Sequence, residues 1–269
     1  MSNEFTGKAL ITGASSGIGA VYADRLARRG HDLILVARDE KRLHALAVRL
    51  RAETNRDIEV LRADLTDAAD VSVIGAKLAS DETIDILLNN AGMSLNGSLL
   101  DEDEANVARL IALNIGATTT LAGAAGRAFA ARGRGAIVNI GSVLALLPEQ
   151  FDGVYSGSKA YLLNLSLSLA ANLEPKGVYV QAVMPGATRT EIWARSGKDI
   201  DSFPAEMVMS VDDLVDAALV GFDRREGVTI PPLPDFGQFE TMTRARLAMA
   251  PYLSRRDVAE RYRSALVAP

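Results

Sequence analysis

Tyr155 and Lys159 stand four residues apart in an apolar, helix-compatible run, with Ser142 thirteen residues before the tyrosine. On a helix that spacing puts the two side chains on one face, about 5–6 Å apart at Cβ. A free phenol titrates near ~10, and a neighbouring ammonium favours the phenolate, which would draw Tyr155 toward the working range of an acid/base. Ser142 follows an apolar run, Ala136 to Ile140, that reads as a buried strand. Its hydroxyl would stand at the carboxyl end of that strand, where open α/β sheets hold ligands, and could hold a substrate oxygen. A Tyr and a Lys at helical spacing are by themselves an ordinary surface pair. The case rests on the elements that position them.

Lys8 to Thr12 predicts a short strand, Gly13-Ala14-Ser15-Ser16-Gly17-Ile18-Gly19 a glycine loop, and Ala20 to Arg29 a helix stopped by Gly30. Glycines let the backbone turn sharply and approach a pyrophosphate, which then meets the free amides and positive dipole end of the helix. Leu33 to Val36 predicts a second strand, followed at once by Arg38. An acidic residue there would grip a ribose 2′-hydroxyl, whereas an Arg accommodates a 2′-phosphate. Asp39 is read as the cap of a helix from Glu40 to Glu53. Strands follow at Ile58 to Arg62, ending near Asp64, whose acceptor could meet adenine, and at Ile84 to Leu88, which ends in Asn89-Asn90-Ala91-Gly92. Glu104 to Ala131 reads as one long helix carrying Asn114. The Tyr155 helix runs to Pro175-Lys176-Gly177, a sixth strand covers Val178 to Val183 and ends in Pro185-Gly186, Ser210 caps a helix to about Arg224, and Val228 to Ile230 makes a last strand. Strands alternating with helices of this length define an α/β chain, with a parallel sheet covered by helices on both faces.

Composition narrows the function. There is no cysteine, which removes disulfides and cysteine nucleophiles and fits a reducing cytoplasm. Only two histidines exist, His31 and His44, both read as solvated, so no metal site and no Ser-His-Asp triad is expected. A net charge of −5 argues against nucleic-acid binding. The first seven residues lack the pattern of a secretory leader, and no stretch reaches the ~18 apolar residues of a membrane span. The expectation is a soluble cytoplasmic protein. From Pro231 the character changes: residues 241 to 269 hold six Arg against Asp257 and Glu260. We read 1–230 as the dinucleotide-binding and catalytic domain and 231–269 as a helical extension packed on it. A solvated charged face for this tail is favoured over a membrane surface.

Taken in order, Thr12-Gly13-x-x-x-Gly17-x-Gly19, Asn89-Asn90-Ala91-Gly92, Asn114, Ser142, Tyr155-x-x-x-Lys159 and Pro185-Gly186 resemble the short-chain dehydrogenase/reductase (SDR) family over about residues 6 to 230. The resemblance implies a single Rossmann-like, doubly wound domain with a seven-stranded parallel sheet, and an NAD(P)-dependent oxidoreductase. It implies that Tyr155 is the acid/base, that Lys159 lowers its pKa and binds the nicotinamide ribose, that Ser142 orients the substrate carbonyl and that Asn114 supports a water-linked proton relay. Cofactor binding would fall to Gly13, Ser15, Ser16, Gly17, Ile18 and Gly19, to Arg38, Asp64 and Leu65, to Asn90, Ala91 and Gly92, to Tyr155 and Lys159, and to Pro185, Gly186, Thr188 and Thr190. Arg38 resembles the NADP-preferring members, with NAD as the alternative.

The partner expected is a small carbonyl or alcohol substrate. An apolar pocket is expected from Val143, Leu144, Leu146 and Leu147 with Ile192, Trp193, Phe203, Met207 and Met209, under a mobile lid over 188 to 210. Two other readings stand beside this one: a non-catalytic NADP-binding sensor, and a sugar epimerase or dehydratase on the same fold. The helix after Lys159 has leucines at successive odd positions and no charge before Glu174, and Ala117 to Ala125 is uncharged and small. These faces predict a homodimer or homotetramer packed through 104–131 and 155–173.

Overall fold

Consecutive apolar residues in the first strands serve two different cores. In β1 (Lys8–Thr12) Ala9 and Ile11 face one side while Leu10 faces the other, and in β2 (Leu33–Ala37) Leu33 and Leu35 oppose Ile34 and Val36. Side chains alternate along a strand, so a continuous apolar run is what a doubly covered sheet demands. The computed structural model describes residues 5–97 and 99–263; residues 1–4, 98 and 264–269, and with them the end of the expected extension, lie outside the described residues. The remaining strands are β3 (Ile58–Arg62), β4 (Ile84–Asn89), β5 (Gly135–Ile140), β6 (Val178–Val183) and β7 (Val228–Thr229). All seven pair in parallel in the order β3-β2-β1-β4-β5-β6-β7. The order reverses between β1 and β4, which opens a crevice at their carboxyl ends.

One core lies under α1 (Gly17–Arg28), α2 (Glu40–Thr54) and α8 (Val211–Asp223); the other takes in α3 (Ala68–Ser80), α5 (Thr118–Arg132) and the end of α6 (Gly153–Leu173). The expected caps form: Asp39 accepts from the Arg42 amide at 3.0 Å and Ser210 from the Asp213 amide at 3.0 Å.

Three expectations are corrected. The long helix breaks into α4 (Glu104–Ile111), a π-helical turn over Ala112–Ala117, and α5. Asn114 sits in that turn with its amide bonded outside the helix, to Met93 and Ser158, and local π widening commonly accompanies functional positions of this kind. His31 is buried, because its Nδ1 donates to the Gly7 carbonyl at 2.9 Å and so needs no water; His44 is exposed. Finally, Glu104–Arg132 is long and apolar enough, by length and composition, to cross a membrane. Its many alanines raise the hydropathy without a run of large apolar residues, and Leu121, Ala125 and Phe129 are buried in the second core.

The chain divides after Pro232. The second unit carries α9 (Gly237–Ala248), in which no residue is buried, and a Phe236–Phe239 ring contact at 5.5 Å.

Candidate active site

The crevice is built first from the ends of β1 and β4. Thr12 Oγ donates to the Leu88 carbonyl and accepts from the Asn90 and Ala91 amides, at 2.9 and 3.1 Å. Asn90 Nδ2 in turn donates to the Thr12 and Gly13 carbonyls. The glycine loop is thereby fixed against Asn90-Ala91-Gly92. Gly13 has φ +65°, and a Cβ there would lie 2.8 Å from Asn90 Nδ2; one on Gly19 would lie 2.5 Å from both Asn90 Nδ2 and the Gly13 oxygen. Only glycine allows this approach, which leaves the first amides of α1 open for an anion.

α6 is set in register with β5 by a buried polar chain. Asn89 Nδ2 donates to Asn139 Oδ1 at 3.0 Å, Asn139 Nδ2 to Ser166 Oγ at 2.9 Å, and Ser166 Oγ to the Leu162 carbonyl at 2.8 Å. Such satisfied networks specify one packing because any slip strands a polar group. At the other end Asp152 caps α6, accepting from the Val154 and Tyr155 amides. Tyr155 and Lys159 then face the cleft from the first turns of α6. Lys159 Nζ donates to the Ile140 carbonyl at 2.9 Å and stands 5.6 Å from the centre of the Tyr155 ring. Ser142, extended at φ −167°, accepts from the Leu144 amide and hydrogen-bonds Tyr155. Asn114 accepts from the Met93 amide and donates to the Met93 carbonyl and to Ser158 Oγ, so it ties the loop after β4 to α6.

One cleft of about 800 Å³ takes in all the expected cofactor residues except Gly19, together with Ser142, Tyr155 and Lys159. Gly19, buried in the first turn of α1, and Asn114, buried in the π turn, do not line it. Asp64 uses Oδ1 on the Thr66 amide and hydroxyl and still lines the cleft. Of the expected substrate residues, Val143, Leu144, Leu147, Ile192, Trp193, Phe203 and Met207 line it; Leu146 and Met209 do not. Met209 instead bridges Thr188. Sequence reading missed Phe151, whose ring meets that of Tyr155 edge-on at 5.6 Å, although its i−4 position was a usable signal. It also missed Glu191 and Arg195, for which no local signal existed.

The electrostatics differ from the expectation that Lys159 dominates. Burial pushes the Tyr155 phenol up to about 12, its hydrogen bond with Ser142 opposes this, and the charge of Asp152 adds to it. Burial lowers Lys159 to about 8. The ammonium bonds the end of β5 and stands beside the Tyr155 ring, and burial is the largest influence on the phenol. A pH dependence follows. Between about 8 and 10 an unfolded lysine keeps its proton while folded Lys159 has lost it, so stability rises with pH; above about 10 the raised tyrosine opposes this. The stability of the wild type relative to Lys159→Met is therefore expected to grow from pH 8 to 10, by at most about 1.4 kcal/mol per unit. Urea unfolding across that range reads it, and a flat difference would mean an ordinary lysine.

A cleft at the β1/β4 switch point, with a glycine cradle at one side and a Ser, a Tyr and a Lys within it, is the site of a dinucleotide-dependent oxidoreductase. The chain belongs to the short chain dehydrogenase family, whose model matches residues 7–201. It is similar to a short-chain dehydrogenase from Sphingobium yanoikuyae, solved in complex with NADPH: 52% identity, 95% of this chain and 99% of that chain covered, TM-score 0.93. It is similar also to the bulky-bulky ketone specific alcohol dehydrogenase from Comamonas testosteroni, with 46% identity, 96% and 99% coverage, and TM-score 0.89. Among curated proteins it is 36% identical to the very-long-chain 3-oxoacyl-CoA reductase of Podospora anserina over 65% of this chain. It is 35% identical to human 17-beta-hydroxysteroid dehydrogenase type 3 over 68% of it. The matches span 53% and 59% of those two proteins' own length.

Proposed function

We propose that the chain is an NADP(H)-using oxidoreductase that moves hydride between nicotinamide and a carbonyl or secondary alcohol bearing bulky apolar groups. The observation that carries this is the single cleft in which the glycine cradle and Tyr155 share a wall with Leu144, Leu147, Phe151, Trp193, Phe203 and Met207. Such a wall binds apolar substituents on both sides of a carbonyl, and the Comamonas relative is named for ketones of that kind. The residues fit the cofactor, since the loop backbone is held open by Gly13 and Gly17.

When bound, the reduced nicotinamide supplies the hydride. Ser142 Oγ and the Tyr155 hydroxyl hold the carbonyl oxygen, and Tyr155 gives it the proton as negative charge develops. A phenol raised to about 12 is fully protonated at neutral pH and ready to donate. Cationic Lys159 stabilises the phenolate left behind. Asn114 holds the loop and helix that carry these groups.

The test is loss of reduced-nicotinamide absorbance with ketones graded from one bulky substituent to two. Turnover that persists for the largest supports the reading. No turnover with any carbonyl or alcohol would favour the cofactor sensor, and sugar-nucleotide conversion without net oxidation would favour the epimerase.

A cytoplasmic location and a homo-oligomer belong to the same proposal. The outer side of α6 presents Gly157, Asn164, Ser168 and Ala171 with half-buried Leu165, and no charge. Helices that face water normally carry charge there. Light scattering is expected to give at least twice 28.6 kDa, and Leu165→Arg to lower it. A monomeric wild type would remove this part of the reading. The lid over 188–210 remains a proposal of the same kind, supported by Lys198, which donates to the Leu95 carbonyl at 2.8 Å and stands 3.6 Å over the Phe151 ring.

A further inference from the structure

β2 lies beside β1 and β6 lies beyond β5 on the far side of β4, so the segments that follow them reach the cleft from two directions. Arg38 and Asp39 come from the first. From the second come Glu191 and the short helix α7 (Ile192–Arg195). Charged groups join the two sides. Arg42 Nη1 donates to both oxygens of Glu191, at 2.9 and 2.8 Å, and its Nε lies 3.4 Å from Asp39. Arg195 Nη2 donates to Glu191 Oε2 at 2.5 Å and to Ser16 Oγ at 3.4 Å.

Two features give this cluster a use. Ser16 is the N-cap residue of α1, yet its side chain makes no capping bond; its hydroxyl meets Arg195 instead. Arg195 spends only Nη2 on protein, and its Nε and Nη1 have no protein partner among the described residues, although the residue lines the cleft. As a contribution to stability these half-exposed pairs are small. What they fix is the place of a guanidinium. Arg42 is taken up by Asp39 and Glu191, and Asp64, the third carboxylate here, has its Oδ1 on Thr66 and meets Arg38 only through its charge, so Arg38 and Arg195 are the guanidiniums that line the cleft with donors to spare. The pyrophosphate already has the loop amides and the α1 dipole. A second phosphate, on the adenosine ribose, is the anion left without a full set of donors, and a planar guanidinium suits it.

We infer that Arg195 is a second anchor for the 2′-phosphate that distinguishes NADP from NAD, acting with Arg38 and Ser16, and that Arg42 holds it in place through Glu191. The inference rests on NADP(H) being the cofactor. Binding is measured by titration without substrate, using NADPH, NADH, and the fragments adenosine 2′,5′-bisphosphate and adenosine 5′-phosphate. A wild type that does not separate NADPH from NADH removes the cofactor reading, and this inference with it, before any variant is made. Given that separation, Arg195→Met is expected to weaken NADPH and the bisphosphate roughly 10-fold, the low end for an exposed charge-assisted contact, while NADH and the monophosphate stay within about twofold. Arg42→Met should weaken the same two ligands by less, and Arg195→Lys should recover part of the loss. Equal weakening of all four ligands, or none, would overturn the assignment.

Discussion

Tyr155→Phe is expected to lower kcat for ketone reduction by about 10²- to 10⁴-fold while NADPH binds as before, because a positioned acid/base contributes on that scale. The substitution removes one hydroxyl. The ring keeps its edge contact with Phe151 and the α6 backbone keeps its cap on Asp152, so the fold and the nucleotide half of the cleft have no reason to change. Ser142 would still hold the carbonyl oxygen, but the developing charge would have no proton to meet. A pre-steady-state measurement with deuterated cofactor separates this from a slow release step: the isotope effect should be fully expressed in the variant. Near-normal kcat would assign the proton to another group.

Arg38→Met is expected to weaken NADPH binding by roughly 10- to 150-fold and leave NADH nearly unchanged, the range of a charge-assisted contact to phosphate. β2 ends at Ala37, and the next residue, Arg38, is exposed on the cleft wall; among the described residues its guanidinium has no hydrogen bond or ion pair. It is free for a ligand. Asp39, the residue that could have favoured NAD, accepts from the Arg42 amide as the cap of α2 and lies 3.4 Å from Arg42 Nε. Equal binding of NADH and NADPH by the wild type would show that Asp39 serves a ribose hydroxyl after all.

The sequence by itself determined the sheet, the glycine cradle and the shared helix of Tyr155 and Lys159. Each is a local pattern. A continuous apolar run as short as Leu33 to Val36, set between turn residues, fits a strand buried on both faces, glycines at 13, 17 and 19 between a strand and a helix fit close backbone approach, and a four-residue step on a helix puts Tyr155 and Lys159 on one face. What local periodicity cannot carry is a partner far along the chain. The Ser16–Arg195 contact joins residues 179 apart, and the Arg42–Glu191 pair 149 apart. His31 looked solvated because nothing near it in sequence announces the Gly7 carbonyl that lets it be buried. Asn114 lay in an unbroken helical pattern, and the π turn there comes with bonds to Met93 and to Ser158 on another helix. The balance at Tyr155 was also a tertiary outcome. Spacing alone suggests the attraction of Lys159 for a phenolate, whereas burial depends on all that surrounds the two groups, and only the folded chain shows that it raises the phenol and lowers the lysine.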